Sequence, residues 1–205
     1  LNNRERAILI TSLLYAMDKI AVTCGHYDAY RKGAKFEGAL ELYVPLAEVN
    51  NNSQNQCFNE DANNLVKRIE ADLVYIDPPY NSRQYSDSYH LLENVARWEK
   101  PEVFGVAKKM DRSGMKSKYC TIGATKAFET LINDIKAKYI LLSYNNMAEK
   151  GNCRSNAKIS DDDIIRILSQ KGTVKVFEEN YKAFTTGKSD ILENAERLFL
   201  CVCFD

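Results

Sequence analysis

Four consecutive residues have the types and spacing to bind a planar group: Asp77, Pro78, Pro79 and Tyr80. They follow the apolar run 73–76, which shows no polar alternation and is therefore typical of a parallel strand covered on both faces. Ligands of α/β sheets bind at the carboxyl ends of such strands. Both prolines have a fixed φ and donate no backbone N–H, which stiffens the loop. The sequence therefore predicts a rigid polar loop at the ligand-binding edge of a sheet.

This loop suits the binding of a base that carries an exocyclic amine. The Asp77 carboxylate and the Pro78 carbonyl are acceptors only, so together they can take both amine hydrogens. Tyr80 can stack on the ring, and the amine lone pair then points at a reactive methyl group, so that catalysis comes from orientation. The alternative is a turn that merely ends a strand. At average residue usage this tetrapeptide occurs by chance in roughly one chain in a thousand of this length, so binding is favoured.

The tetrapeptide continues as Asn81, Ser82, Arg83, Gln84 and Tyr85. The stretch 77–98 resembles the catalytic motif and following loop of adenine-specific DNA methyltransferases of restriction-modification systems. The resemblance implies methyl transfer from S-adenosylmethionine to the exocyclic amine of an adenine flipped out of double-stranded DNA. It implies that residues 77–80 form the catalytic motif and that residues 80–85 contact the substrate. A cognate restriction endonuclease is the protein partner that such enzymes imply.

The resemblance also implies a cofactor contact upstream of the motif. Asp61 and Ala62 match the position at which the family binds the adenine of the methyl donor, and Asp77 matches a residue beside its methyl group. Capping of the next helix is the alternative for Asp61. We favour the cofactor contact.

A basic stretch, residues 108–118, follows the motif and its helix. It contains five positive residues and one acid, and we predict that Lys108, Lys109 and Arg112 contact DNA phosphates. A solvated flexible loop is the alternative.

Composition limits the other functions open to the chain. The 205 residues are 45% hydrophobic and 27% charged, which fits one soluble catalytic domain. The formal net charge of +0 means that DNA contacts must come from a local patch. No apolar run of about 18 residues and no signal peptide are visible, so a cytoplasmic protein without membrane contact is expected. Six dispersed cysteines without a CxxC pair indicate reduced thiols and no metal site.

Periodicity predicts an α/β protein with a methyltransferase-like, Rossmann-like sheet. The sheet is expected to be mostly parallel and to close with a C-terminal antiparallel hairpin. Helices are predicted near residues 10–21 (stopping at Gly25), 63–70, 91–98, 128–135 and 160–172. Strands are predicted at residues 56–59, 73–76, 139–145, 173–177 (an edge) and 198–202 (an inner strand), with an extended piece at 40–46 and a loop at 25–33.

The glycine-rich turn that the family places after its first strand is not visible upstream of Asp61. We therefore expect the 205 residues to be an N-terminally truncated catalytic domain that lacks its first strands. Three alternatives remain open: an RNA adenine methyltransferase, a methyltransferase of protein glutamine, and a non-catalytic nucleic-acid-binding remnant of the same fold. Asp rather than Asn at position 77 favours adenine over glutamine.

Overall fold

A computed structural model describes residues 1–23, 26–29, 31, 33–35, 38–45, 54–105, 109–145, 156–180 and 195–204. The chain divides into two compact units. The helical unit comprises Leu1–Gln56 and Tyr85–Lys116, and the sheet unit comprises Cys57–Gln84 and Ser117–Asp205. The single catalytic domain expected from the sequence stays a prediction.

The described helices are α1 (Asn3–Ile20), α2 (Ala62–Leu65), α3 (Tyr85–Arg97), α4 (Ala124–Asp134) and α5 (Asp161–Ser169). The described strands are β1 (Ala71–Ile76), β2 (Val103–Phe104), β3 (Lys109–Met110), β4 (Ala137–Asn145), β5 (Gly172–Asn180) and β6 (Ala195–Cys203). Short 3-10 helices cover Ser113–Met115 and Lys118–Cys120.

The sheet unit is built on a four-stranded sheet with the order β1-β4-β6-β5. Strand β1 runs parallel to β4, whereas β6 pairs antiparallel with both β4 and β5. The α/β class and the C-terminal antiparallel hairpin are therefore confirmed. The inner position of β6 and the edge position of β5 also agree with their sequence patterns.

One face of this sheet forms the hydrophobic core with α4 and α5. Apolar residues recur at helical spacing on the two helices and at every second position on the strands, so each element turns one apolar side inward. Removing these side chains from water is the main favourable contribution to the folding of the unit. The core members with no exposed surface are Ala124, Phe128, Ile132, Ile140, Leu142, Ile164, Ile167, Leu168, Phe199 and Cys201.

The opposite face of the sheet is open to solvent. Leu73 and Tyr75 on β1 are 52% and 56% exposed, and Tyr139 and Leu198 on the neighbouring strands are also exposed. The prediction that β1 is covered on both faces is therefore wrong for the described residues. An uninterrupted apolar run gives the same sequence pattern for a covered face and for an open apolar face.

Helix α5 begins as the sequence predicts but ends earlier. Ser160 caps it by accepting a hydrogen bond from the Asp163 N–H at 3.2 Å. The helix ends at Ser169, and Gly172 instead opens β5. A Cβ at Gly172 would lie 2.0 Å from the Val202 carbonyl oxygen, so the close pairing of β5 with β6 requires a glycine there.

The helical unit packs α1 against α3. Helix α1 starts with a capping box between Asn2 and Glu5 and stops at Ile20, before the predicted Gly25, which lies outside the described residues. Helix α3 stops at Arg97, because Trp98 takes a positive φ of 60°, a conformation that ends a helix.

Two predicted elements around the entry to β1 are corrected. Residues 56–59 form no strand, since no described strand pairs with them, and their side chains are exposed. The helix predicted at 63–70 is only the four-residue α2, because the chain must turn to bring Ala71 into register with Ala137. Residues 40–45 are likewise not assigned to a strand, and residue 46 lies outside the description.

Within the described residues, no helix has the length and apolar character needed to cross a membrane.

A buried guanidinium joins three elements of the sheet unit. Arg197, only 6% exposed, donates to both carboxylate oxygens of Asp161 at 2.5 and 2.7 Å and to the Asn145 carbonyl at 2.7 Å. The pair thus ties the first turn of α5 to the ends of β4 and β6. Such bidentate pairs are rigid as well as strong.

Replacing Asp161 by alanine should lower the free energy of unfolding by about 2 kcal/mol, since the Arg197 charge would stay buried without its partner. Urea unfolding followed by circular dichroism measures this change. Asp162→Ala is the matched control, because Asp162 is an exposed acid in the same turn, and a change within about 0.5 kcal/mol is expected. Equal losses in the two variants would contradict a stabilising role for the Arg197 pair.

Candidate active site

The predicted motif lies where the sequence places it, directly after a strand that runs parallel to its neighbour. Strand β1 ends at Ile76, and Asp77 follows it with an exposed side chain. Pro78 is buried, and Tyr80 is half-buried against the core. The loop therefore presents a carboxylate to solvent while its backbone is fixed against the protein.

Tyr144 braces this loop. Its hydroxyl donates to the Tyr80 carbonyl at 3.3 Å and accepts from the Ile159 N–H at 3.2 Å. The two tyrosine rings meet edge to face, with centroids 6.2 Å apart and planes at 79°. The Tyr80 carbonyl also accepts from the Lys158 N–H at 2.7 Å. Tyr80 is thus held by its ring and by its backbone.

Burial raises the pKa of Tyr144 to about 12. It also raises the pKa of Tyr80, with smaller contributions from the carboxylates of Glu196 and Asp77, while a hydrogen bond with Asn145 opposes the shift. Both phenols are therefore neutral near pH 7, and Tyr144 keeps the proton that it donates to the loop.

Two residues that the sequence analysis did not identify lie beside the loop. Asn145 ends β4 with 5% exposure, and Glu196 is its register partner on β6. The position of Asn145 at the ligand-binding edge could be predicted from the sequence, since it is the last residue of a predicted buried strand. Glu196 carried no such signal, because only the antiparallel pairing brings the start of β6 to the carboxyl end of β1 and β4.

The loop that follows the motif is tied to the sheet unit. The Asn81 side chain accepts from the Arg83 N–H at 2.9 Å, and Cys120 Sγ contacts the Arg83 carbonyl at 3.3 Å. Gln84 is 7% exposed and exchanges two hydrogen bonds with the backbone of Ser117, at 2.8 and 3.1 Å. The amide oxygen and N–H of Gln84, which a contact with a base would use, are therefore engaged in anchoring the loop.

Asp61 caps α2 by accepting from the Asn64 N–H at 3.2 Å, so the capping alternative is confirmed. A carboxylate has a second oxygen, and the side chain is exposed, so the cofactor contact of Asp61 and of the adjacent Ala62 stays a prediction. Asn63 connects the same turn to α4 through a hydrogen bond to the Ala127 carbonyl at 2.7 Å.

Two of the basic residues predicted to bind DNA, Lys109 and Arg112, belong to the helical unit, and both form ion pairs. Lys109 contacts Asp28, and Arg112 lies 3.4 Å from Asp28 and 3.2 Å from Asp87. The Lys109 hydrogen bond is the main reason that the pKa of Asp28 is lowered. The segment is thus not a mobile loop over its described part, because Lys109–Met110 is a strand and Ser113–Met115 a 3-10 turn. Lys108 lies outside the described residues.

The structure brings residues 77–84 and Asp61 into the sheet unit, whereas Tyr85, Lys109 and Arg112 belong to the helical unit. Tyr85 packs edge to face with Tyr89 at a centroid distance of 6.0 Å. In the part of the chain that the structure describes, no group of three or more His, Cys, Asp or Glu side chains could bind a metal ion.

An α/β sheet with a stiff carboxylate loop at the end of a parallel strand defines a class of proteins that bind ligands at this edge. The sequence of the chain places it within one family of that class. Residues 2–156 match the model of the D12 class N6 adenine-specific DNA methyltransferases, and the chain belongs to that family.

Several relatives are known by name. The chain is 43% identical over 172 residues to the modification methylase StsI of Streptococcus sanguinis, covering 83% of this chain and 25% of that protein. It is 32% identical to the type II methyltransferase M.FokI of Planomicrobium okeanokoites, covering 97% of this chain and 30% of the relative. It is 34% identical to M.NlaIII of Neisseria lactamica, covering 89% of this chain and 52% of the relative. The chain thus spans about a quarter to a half of these relatives, and no solved structure matches it.

Proposed function

We propose that the chain carries the amine-binding and catalytic part of a DNA methyltransferase that methylates the exocyclic amine of adenine in a restriction-modification system. The observation that carries this proposal is the loop 77–80 at the end of β1, rigidly braced by Tyr144 and exposing the Asp77 carboxylate. Membership of the D12 family supports it.

Each residue of the loop 77–80 has a separate role in binding the base. Asp77 and the Pro78 carbonyl accept the two amine hydrogens, and this leaves the nitrogen lone pair directed away from both acceptors. Pro79 fixes the backbone between them and Tyr80. The Tyr80 ring stacks on the base, and Tyr144 keeps that ring in place from its edge.

S-adenosylmethionine is the methyl donor we propose, and it supplies an electrophilic methyl group when bound. The residues of this chain are suited to bind the adenine end of S-adenosylmethionine. Asp61 has a carboxylate oxygen beyond the one that caps α2, which suits the amine of the donor's adenine, and Ala62 beside it is exposed. Asp77 lies on the methyl side.

Contacts with double-stranded DNA are proposed for both units. Asn81, Ser82 and Arg83 follow the motif directly, and Tyr85 is an exposed aromatic residue at the start of α3. Lys109 is one-third exposed while paired with Asp28, so its ammonium can still approach a phosphate. We also propose DNA contacts for Lys108 and Arg112. The side chain of Gln84, in contrast, is engaged in anchoring the loop. A cognate endonuclease as partner and a cytoplasmic location stay predictions.

Asp77→Ala in the full chain should reduce methyl transfer to adenine by at least about 100-fold while leaving DNA affinity within about threefold, because Asp77 acts only at the reacting amine. Transfer of a radiolabelled methyl group and fluorescence anisotropy measure the two quantities. Asp72→Ala is the control, since Asp72 is an exposed acid at the other end of the same strand. A rate near that of the wild type in Asp77→Ala would contradict the assignment.

Lys109→Ala should reduce the slope of log affinity against log salt by about one unit, the value for one lost phosphate contact. Anisotropy of a labelled duplex over a salt series gives the slope. Lys126→Ala, an exposed lysine on α4, should leave it unchanged. An unchanged slope in Lys109→Ala would contradict a phosphate contact and leave Lys109 only its ion pair with Asp28.

A further inference from the structure

A row of polar side chains lies on the sheet face opposite the α4–α5 core, at the carboxyl end of β1 and β4. Asn145 pairs in register with Glu196, and Glu196 with Glu179 on β5, so these three side chains share one face. Tyr144, the residue before Asn145, points into the core. Asp77 follows the buried Ile76 at the end of β1, and its exposed carboxylate interacts electrostatically with Glu196 and with Tyr80.

The pKa of Glu196 is raised above its ordinary value. Partial loss of hydration raises its pKa, and the nearby Asp77 carboxylate raises it further, while Arg197 opposes the shift. Tyr80 faces the same carboxylate, and Glu179 lies opposite on β5. The side chain nevertheless reaches solvent.

Arg197 forms no ion pair with Glu196, although the two are neighbours in sequence. Its guanidinium lies on the core face and is committed to both oxygens of Asp161 and to the Asn145 carbonyl. Within the described residues, no hydrogen bond or ion pair of the Glu196 carboxylate is found. Among the described residues, the Glu196 carboxylate thus lies near Asp77 without a hydrogen-bond donor of its own.

We propose that Glu196 accepts the proton that the adenine amine must lose during methyl transfer, an inference that rests on the proposed function. The nitrogen lone pair forms the new N–C bond, and the S–C bond of the donor breaks with its electron pair left on sulfur. The nitrogen would then carry a positive charge, so the N–H proton that is hydrogen-bonded to Asp77 passes through the Asp77 carboxylate to Glu196 as the new bond forms. Glu196 becomes a neutral carboxylic acid and releases the proton to solvent.

The division of roles between the two carboxylates follows from their positions. Asp77 is part of the rigid loop and is used to orient the amine. Glu196 comes from another strand, and its raised pKa makes it a stronger base than an ordinary glutamate. Because it is exposed on one side, it can return the proton to water after each turnover.

The first test is single-turnover methyl transfer as a function of pH, with the full chain, S-adenosylmethionine and a DNA duplex that the wild type methylates. Glu196→Gln should lower the rate about 100-fold at neutral pH. The wild-type rate should fall as the pH drops through the raised pKa of Glu196, since the carboxylate is the active form. That acid limb should be absent from Glu196→Gln and kept in Glu196→Asp. Glu179→Gln is the matched control on the next strand and should keep both rate and profile.

A second readout needs neither DNA nor cofactor. Carbon-13 NMR titration of the Glu196 carboxyl group should give a pKa above that of an exposed glutamate, and Asp77→Asn should lower it toward the ordinary value. An unshifted Glu196, or a Glu196→Gln variant with the wild-type rate and pH profile, would overturn the proposal while the proposed function stands. If the wild type transfers no methyl group to adenine, the proposed function fails, whereas the NMR coupling of Glu196 to Asp77 is unaffected.

Discussion

The hydroxyl group of Tyr144 holds together the parts of the sheet unit on which the candidate site depends. It links the carbonyl of Tyr80 to the N–H of Ile159, so the motif loop, the end of β4 and the approach to α5 share one buried phenol. Removing this hydroxyl would leave the buried Ile159 N–H without its partner, which costs about 1–3 kcal/mol, whereas the Tyr80 carbonyl would keep its hydrogen bond from the Lys158 N–H. The loop 77–80 is stiff because of its prolines, and it has one position because of Tyr144.

Strand alternation separates the charges that the site uses from those that stabilise the fold. On β6, Arg197 points into the core, where Asp161 compensates it, and Glu196 points to the open face. Arg197 and Glu196, although adjacent in sequence and opposite in charge, therefore form no ion pair with each other. This allows a carboxylate to remain beside Asp77 while the guanidinium secures α5.

Much of the sheet unit could be predicted from the sequence, because its strands and helices bury one periodic face each. The capped start of α5, the buried β4 and the inner β6 all follow from such patterns. The open face of β1 could not be predicted, since an apolar run does not show which face is covered. Gln84 also looked like a contact residue, and only the fold shows that Ser117 occupies its amide. Glu196 was missed because its place depends on a long-range antiparallel pairing rather than on any local motif.

The central claim is that Asp77 and Pro78 hold the exocyclic amine of an adenine for methylation. A crystal structure of the full chain bound to a DNA duplex that it methylates tests this most directly. The account predicts a flipped adenine whose amine nitrogen lies about 3 Å from an Asp77 carboxylate oxygen and from the Pro78 carbonyl, with the ring stacked on Tyr80. An adenine that stays in the duplex, or a flipped base whose amine meets other groups, would contradict it.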